Sequence, residues 1–204
     1  MVLLPLTFLG QVVLSQDEST KATEEIVAYR KKQETEFKDP IKSPLVKKDL
    51  KKFKGLHYYP IDLKYRLKAT FVKNETPVFF KMKTSASILK DYNTYGIVNF
   101  ELDGVQYGLE VYQSPDVMKM PGYADYLFIP FTDVTNGKET YDGGRYLELR
   151  IPETNEVVLD FNQCYNPYCA YGSIGRYACP IPPAANALPI AILAGEKKFK
   201  EANH

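Results

Sequence analysis

The sequence has no tryptophan, and only two histidines and three cysteines among its 204 residues. Each shortage removes a class of function. A serine or cysteine nucleophile needs a base beside it, normally histidine. Here His57 sits by Tyr58 far upstream of the cysteines, and His204 is the last residue. A structural zinc site needs four ligands at characteristic spacings, which His57, Cys164, Cys169 and Cys179 do not show, so no metal is expected. Neither charge is in excess: 26 Lys and Arg stand against 25 Asp and Glu. Binding to nucleic acid through bulk charge is therefore not expected. After the first residues no apolar run approaches the roughly 20 residues of a membrane-spanning helix. Glycine-rich phosphate loops and dinucleotide fingerprints are missing too, and no cofactor is expected.

What is present begins with an apolar run from Val2 to Leu14, of the length of a signal-peptide core, with Val13-Leu14-Ser15 around a cleavage point. It lacks a preceding Lys or Arg and is interrupted by Pro5. The expectation is a signal peptide over residues 1–15 and an exported protein, periplasmic or secreted, with residues 16–204 forming one β-rich domain. A helical arm is expected over 20–55. Ile26, Tyr29, Gln33 and Phe37 space as one thin helical stripe, capped by Ser19 or Thr20 and ended by Asp39-Pro40. A second helix is expected after Ser43-Pro44, closing at Gly55, with Lys47, Lys48, Lys51, Lys52 and Lys54 on its solvated face.

The period then changes to two. Leu63, Tyr65, Leu67, Ala69 and Phe71 alternate with polar residues, as in a strand with one wet face. Further strands are expected at 78–82 and, more weakly, 85–89. The clearest hairpin runs through Val98, Phe100 and Leu102 into Asp103-Gly104 and out along Val105, Tyr107, Leu109 and Val111. Strands at 126–131, 145–151, 156–161 and 190–193 complete the set, with 145–151 and 156–161 paired across Pro152-Glu153-Thr154-Asn155. With no βαβ rhythm, the fold class is mainly β: an antiparallel β-sandwich or barrel of about eight strands with one or two N-terminal helices.

Several long motifs stand in the second half. They are Phe128-Ile129-Pro130-Phe131-Thr132-Asp133, Thr135-Asn136-Gly137-Lys138-Glu139-Thr140-Tyr141 and Gly143-Gly144-Arg145-Tyr146-Leu147. Asp160-Phe161-Asn162, Tyr165-Asn166-Pro167-Tyr168-Cys169-Ala170-Tyr171, Cys179-Pro180-Ile181-Pro182-Pro183 and Ala194-Gly195-Glu196-Lys197 follow. In these the chain resembles a domain of unknown function, DUF 1684, of bacterial and archaeal proteins. The resemblance implies no activity, substrate or cofactor. Cys164 stands where the family pattern has a small residue.

The chemistry the residues offer is limited. Cys169 and Cys179, ten residues apart in a proline-rich loop, form a disulfide or stay as two buried thiols, with Cys164 left odd. Asp133, Glu139, Asp160 and Glu196 fall at strand ends or in these motifs, with Arg145 a natural partner for one of them; Asp133, Glu139 and Asp160 are the candidate catalytic carboxylates. Paired carboxylates can run acid–base chemistry on a glycosidic bond, hold calcium with Asn162, or simply bond local backbone. The loop after Asp160 is rich in Tyr and Asn, which suits a sugar or another polar ligand and equally suits a loop satisfying its own backbone. The first expectation is non-catalytic binding of a small polar ligand or a protein partner between loops 133–145 and 162–176. Its ligand-binding residues are Arg145, Asn162, Tyr165, Asn166, Tyr171 and Arg176. The rival is a carboxylate-based, glycosidase-like hydrolase on the same loops.

Overall fold

The computed structural model describes residues 15–172 and 175–199. Helix α1 (Gln16–Lys38) starts at a capping box: Ser15 Oγ accepts from Glu18 N, and Glu18 Oε2 accepts from Ser15 N. Both orphan donors are satisfied reciprocally, so the helix begins four residues before the expected cap at Ser19 or Thr20. It ends where expected, at extended Asp39 before Pro40. Ala22, Ile26 and Phe37 are buried along one stripe, with Tyr29, Arg30 and Gln33 half-buried beside them. The export expectation rests on residues 1–15, of which 1–14 lie outside the described residues. Among the described residues no helix is long and apolar enough to cross a membrane.

The expected second helix shrinks to one turn, α2 (Lys47–Leu50), with Val46 rather than Ser43 at its N-cap. Ser43 instead accepts from Leu45 N at 3.2 Å. Leu45 is buried in an apolar cluster with Phe37, Leu56, Tyr171 and Phe199, against which Phe53 also packs, and this anchorage holds the chain extended where a helix would have started.

Seven strands form one antiparallel sheet: β1 (Arg66–Lys73), β2 (Phe79–Lys83), β3 (Leu89–Leu102), β4 (Val105–Gln113), β5 (Tyr126–Phe131), β6 (Arg145–Arg150) and β7 (Glu156–Asp160). The order is β6-β5-β4-β3-β1-β7, with β2 added on β3. A one-turn helix, α3 (Pro115–Met118), interrupts the β4–β5 connection. The β3–β4 hairpin turns at Asp103 (φ 55°) and Gly104 (φ 76°), two left-handed residues in succession as the type I′ turn requires. Val98, Phe100, Leu109 and Val111 carry the core inward, joined by Leu127, Ile129 and Phe131 of β5.

Three strand expectations are corrected. Residues 63–65 form a 3₁₀ turn, because Asp62 accepts from Lys64 N and tightens the chain before β1. Residues 84–88 are the β2–β3 turn, with Ser87 at φ 57° and Thr84 Oγ1 bonded to the Ile88 carbonyl. Residues 190–193 form no strand. Side chains occupy their backbone groups: Arg145 donates to the Ile192 and Ala194 carbonyls, and Asp133 Oδ1 accepts from Ile192 N.

The sheet is curled into a half-barrel. The strand path ends at β6 and β7, neighbours in sequence that were expected to pair. They do not. β6 pairs with β5 and β7 with β1, and a seam opens between them that α1 overlies with Glu25 and Tyr29. The stretch after β7 returns across β6: Tyr146 and Tyr165 exchange backbone hydrogen bonds at 2.9 and 3.1 Å.

Candidate functional site

That return creates the most distinctive surface of the molecule. A cleft of about 480 Å³ lies between α1, the ends of β3, β5 and β6, and the loop from 165 to 180. Eight of the sixteen tyrosines line it. Neighbouring rings pack against one another in pairs. Phe128 meets Tyr146 at 4.7 Å, Tyr146 meets Tyr165 at 5.8 Å, and Tyr168 meets Tyr177 at 5.1 Å. Phe37 of α1 closes the inner end against Tyr171 at 4.7 Å. Alternation along β6 places Tyr146 and Glu148 together on this side.

The outer wall is held in place by β2. Ser85 N donates to the Cys179 carbonyl at 2.9 Å, Cys179 N donates back to Ser85 Oγ at 3.1 Å, and Ile181 N donates to Lys83 O at 2.9 Å. Cys169 and Cys179 stand at disulfide distance, with Cα atoms 6.4 Å apart. Of the two options open in the sequence, the geometry takes the paired one. Cys164 is free and fully buried, and burial pushes its thiol up to about 11.

Three carboxylates line the cleft, Glu36 of α1 at a half-buried position and two that hold tyrosine hydroxyls. Glu148 is exposed, and its Oε1 accepts from the hydroxyls of Tyr126 (3.0 Å) and Tyr165. Glu196 is 1% exposed, accepting from Tyr171 Oη at 2.5 Å and from Asn166 N at 3.1 Å. Burial pushes the Glu196 carboxyl up to about 7, against the pull of those two hydrogen bonds. The seam between β6 and β7, about 420 Å³, adjoins the cleft and shares Glu148 and Tyr165 with it. Its further charged and amide lining is Glu25, Arg66, Arg150, Asp160 and Gln163, with Arg66 bridging Asp160 at 2.8 Å and Glu25 at 2.6 Å.

The sequence-derived candidates divide sharply. Tyr165, Asn166 and Tyr171 line the cleft. Arg145 does not: it is wholly buried, paired to Asp133 at 2.6 Å and spanning the 192–196 backbone. Asn162 has both its amide nitrogen and oxygen bonded to Asp62 backbone, with a further bond to Asp160. Arg176 is exposed and lies 5.1 Å from the Tyr177 ring, outside the lining. Of the carboxylates, Asp133 and Asp160 are engaged in ion pairs and Glu139 is exposed elsewhere. The 133–145 loop is therefore not the wall opposite 162–176; α1 and the sheet ends take that place. Glu148, Tyr92, Tyr126, Tyr146 and Phe37 were not singled out from sequence. The alternation Tyr146-Leu147-Glu148-Leu149 was the available signal, since it puts a tyrosine and a carboxylate on one face.

No curated protein matches the chain. A solved structure does: the solution NMR structure of an uncharacterized protein from Haloarcula marismortui is 32% identical. It covers 93% of this chain and 100% of its own, with a TM-score of 0.70. A family model described as "Protein of unknown function (DUF1684)" matches residues 51–197, a span that holds the whole sheet and the 165–180 loop but not α1. With its sheet and its tyrosine-bearing loop inside that match, the chain belongs to the DUF1684 family.

Proposed function

We propose that the protein is a non-catalytic binding domain, taking a small polar organic ligand in the tyrosine-lined cleft. The observation that carries this reading is the cleft itself: a concave aromatic surface beside a solvent-accessible carboxylate, with its outer wall pinned to the sheet by the Ser85 hydrogen bonds. Ligand sites combine apolar walls with a few fixed polar groups, and tyrosine rings stack on planar or sugar faces without losing their own hydrogen bonds. The hydrolase reading on Asp133, Glu139 and Asp160 is not retained, because two of these are committed to ion pairs and none lines the cleft. Export belongs to the same proposal. The N-terminal apolar run supports it, and a cysteine pair at disulfide distance suits an oxidising compartment; fractionation of cells expressing the full chain tests it.

The binding test is a titration of saccharides and small amines against the wild type and against Tyr168→Ala and Tyr177→Ala, which cut back the outer wall. Loss of affinity by about tenfold or more, with unchanged circular dichroism, is expected. Full affinity in both variants places the ligand elsewhere.

A further inference from the structure

The hydrogen-bonding groups of the cleft are only partly engaged within the protein. Four of its tyrosine hydroxyls are already used as donors within the protein: Tyr126 and Tyr165 to Glu148, Tyr146 to the Pro180 carbonyl, and Tyr171 to Glu196. Acceptors are left over. Both hydroxyls that reach Glu148 converge on Oε1, and among the described residues no donor or cation reaches Oε2. Asn166 is 1% exposed; its Nδ2 donates to the Lys197 carbonyl at 2.9 Å, while its buried Oδ1 has no partner among the described residues. That oxygen is enclosed within the wall, so the open acceptor on the cleft surface is Glu148 Oε2.

The hydroxyls of Tyr92, Tyr123, Tyr168 and Tyr177 also line the cleft and make no hydrogen bond among the described residues, so donors remain for a polyol and charge, not hydrogen bonding, has to choose the ligand. Aromatic faces carry negative potential and attract a cation, as does the open oxygen of Glu148. The molecule already uses its tyrosines this way at the edge of the cleft, where the Arg150 guanidinium lies 5.6 Å from the Tyr123 ring centroid and 5.9 Å from that of Tyr126. The cations of the lining itself, Lys32 and Lys90, are both at exposed positions.

We propose that the tyrosine cleft recognises an organic ammonium group, whose charge is taken by Glu148 and the surrounding ring faces. This rests on the cleft being a ligand site. The group can belong to a free small molecule or to a side chain presented by another protein, and the probes separate these: choline for the first, Nα-acetyl-trimethyllysine amide for the second. Each is titrated calorimetrically into the full chain alongside 3,3-dimethylbutan-1-ol, the uncharged carbon isostere of choline, and a disaccharide. At least one cation is expected to bind about tenfold or more tighter than the isostere. Glu148→Gln, which keeps an oxygen for the two tyrosine hydroxyls but removes the charge, is expected to reduce that preference, and Glu36→Gln combined with it to abolish the preference. Equal binding of cation and isostere, a cation preference that survives the double replacement, or binding of the disaccharide alone overturns the ammonium inference and leaves the cleft a ligand site. Absence of binding by every probe overturns both.

Discussion

Glu196 gives the sharpest test of how the cleft wall is built. Its carboxyl is fully buried between Tyr171 and the Asn166 amide, and its pKa is raised to about 7 from an ordinary 4.5. The folded chain therefore holds this proton to a higher pH than the unfolded chain does. The stability it contributes is complete below about pH 4.5 and is lost as pH rises toward 7. A displacement of about 2.5 units at 1.36 kcal/mol each is on the order of 3 kcal/mol. Glu196→Gln copies the protonated acid: its oxygen can accept from Asn166 N–H while its amide donates to the Tyr171 oxygen. The variant is expected to match the wild type near pH 4.5 and to exceed it by on the order of 3 kcal/mol above pH 7. In urea this is a midpoint difference of roughly 1–2 M, taking a slope of about 2 kcal/mol/M. Denaturation followed by circular dichroism at pH 4.5, 6 and 7.5 reads it. A wild-type minus variant difference that does not change with pH refutes the reasoning.

Three other perturbations bear on the scaffold. Arg145→Ala strands Asp133 in the core and frees the carbonyls of Ile192 and Ala194; a loss of about 3–5 kcal/mol is expected, read as a collapsed urea midpoint or insoluble expression. Joint replacement of Cys169 and Cys179 by serine opens a ten-residue closure and is expected to cost about 2–3 kcal/mol, whereas reductant should leave the double variant unaffected. Gly195→Ala introduces a Cβ at φ 74° that would lie 2.6 Å from the Phe161 carbonyl oxygen, so a lowered thermal midpoint is expected; an unchanged one would mean that the 194–196 segment is free to shift.

Much of the sheet could be read from the sequence because its signals are local. Asp103-Gly104 dictates its own turn, and the apolar alternation around it fixes which face enters the core. The same logic failed where partners are distant. Residues 145–151 and 156–161 look like a hairpin, yet their partners are β5 and β1, and nothing in a five-residue connection reveals that a helix 120 or so residues upstream will overlie the gap. Ser15-x-x-Glu18 is a legible cap that was hidden by reading Ser15 as part of a cleavage site. Asp133 and Arg145 illustrate the harder limit. A buried ion pair that organises backbone and a charged pair that meets a ligand use the same residue types in the same turn-rich context, and only burial separates them. The tyrosines of the 165–180 loop were visible as a candidate wall; that Phe37 and Gln33 of α1 face them depends on a tertiary contact the sequence does not encode locally.

The central claim is that ligand binds in the tyrosine cleft. Its most direct test is an amide chemical-shift titration of the full chain with choline, with Nα-acetyl-trimethyllysine amide and, separately, with a disaccharide. The account predicts that at least one of them moves the amides of Glu148, Tyr165, Asn166 and Tyr177 together while Asp133 to Arg145 stays still. Shifts confined to the 133–145 loop, or none with any of the three at millimolar concentration, would contradict it.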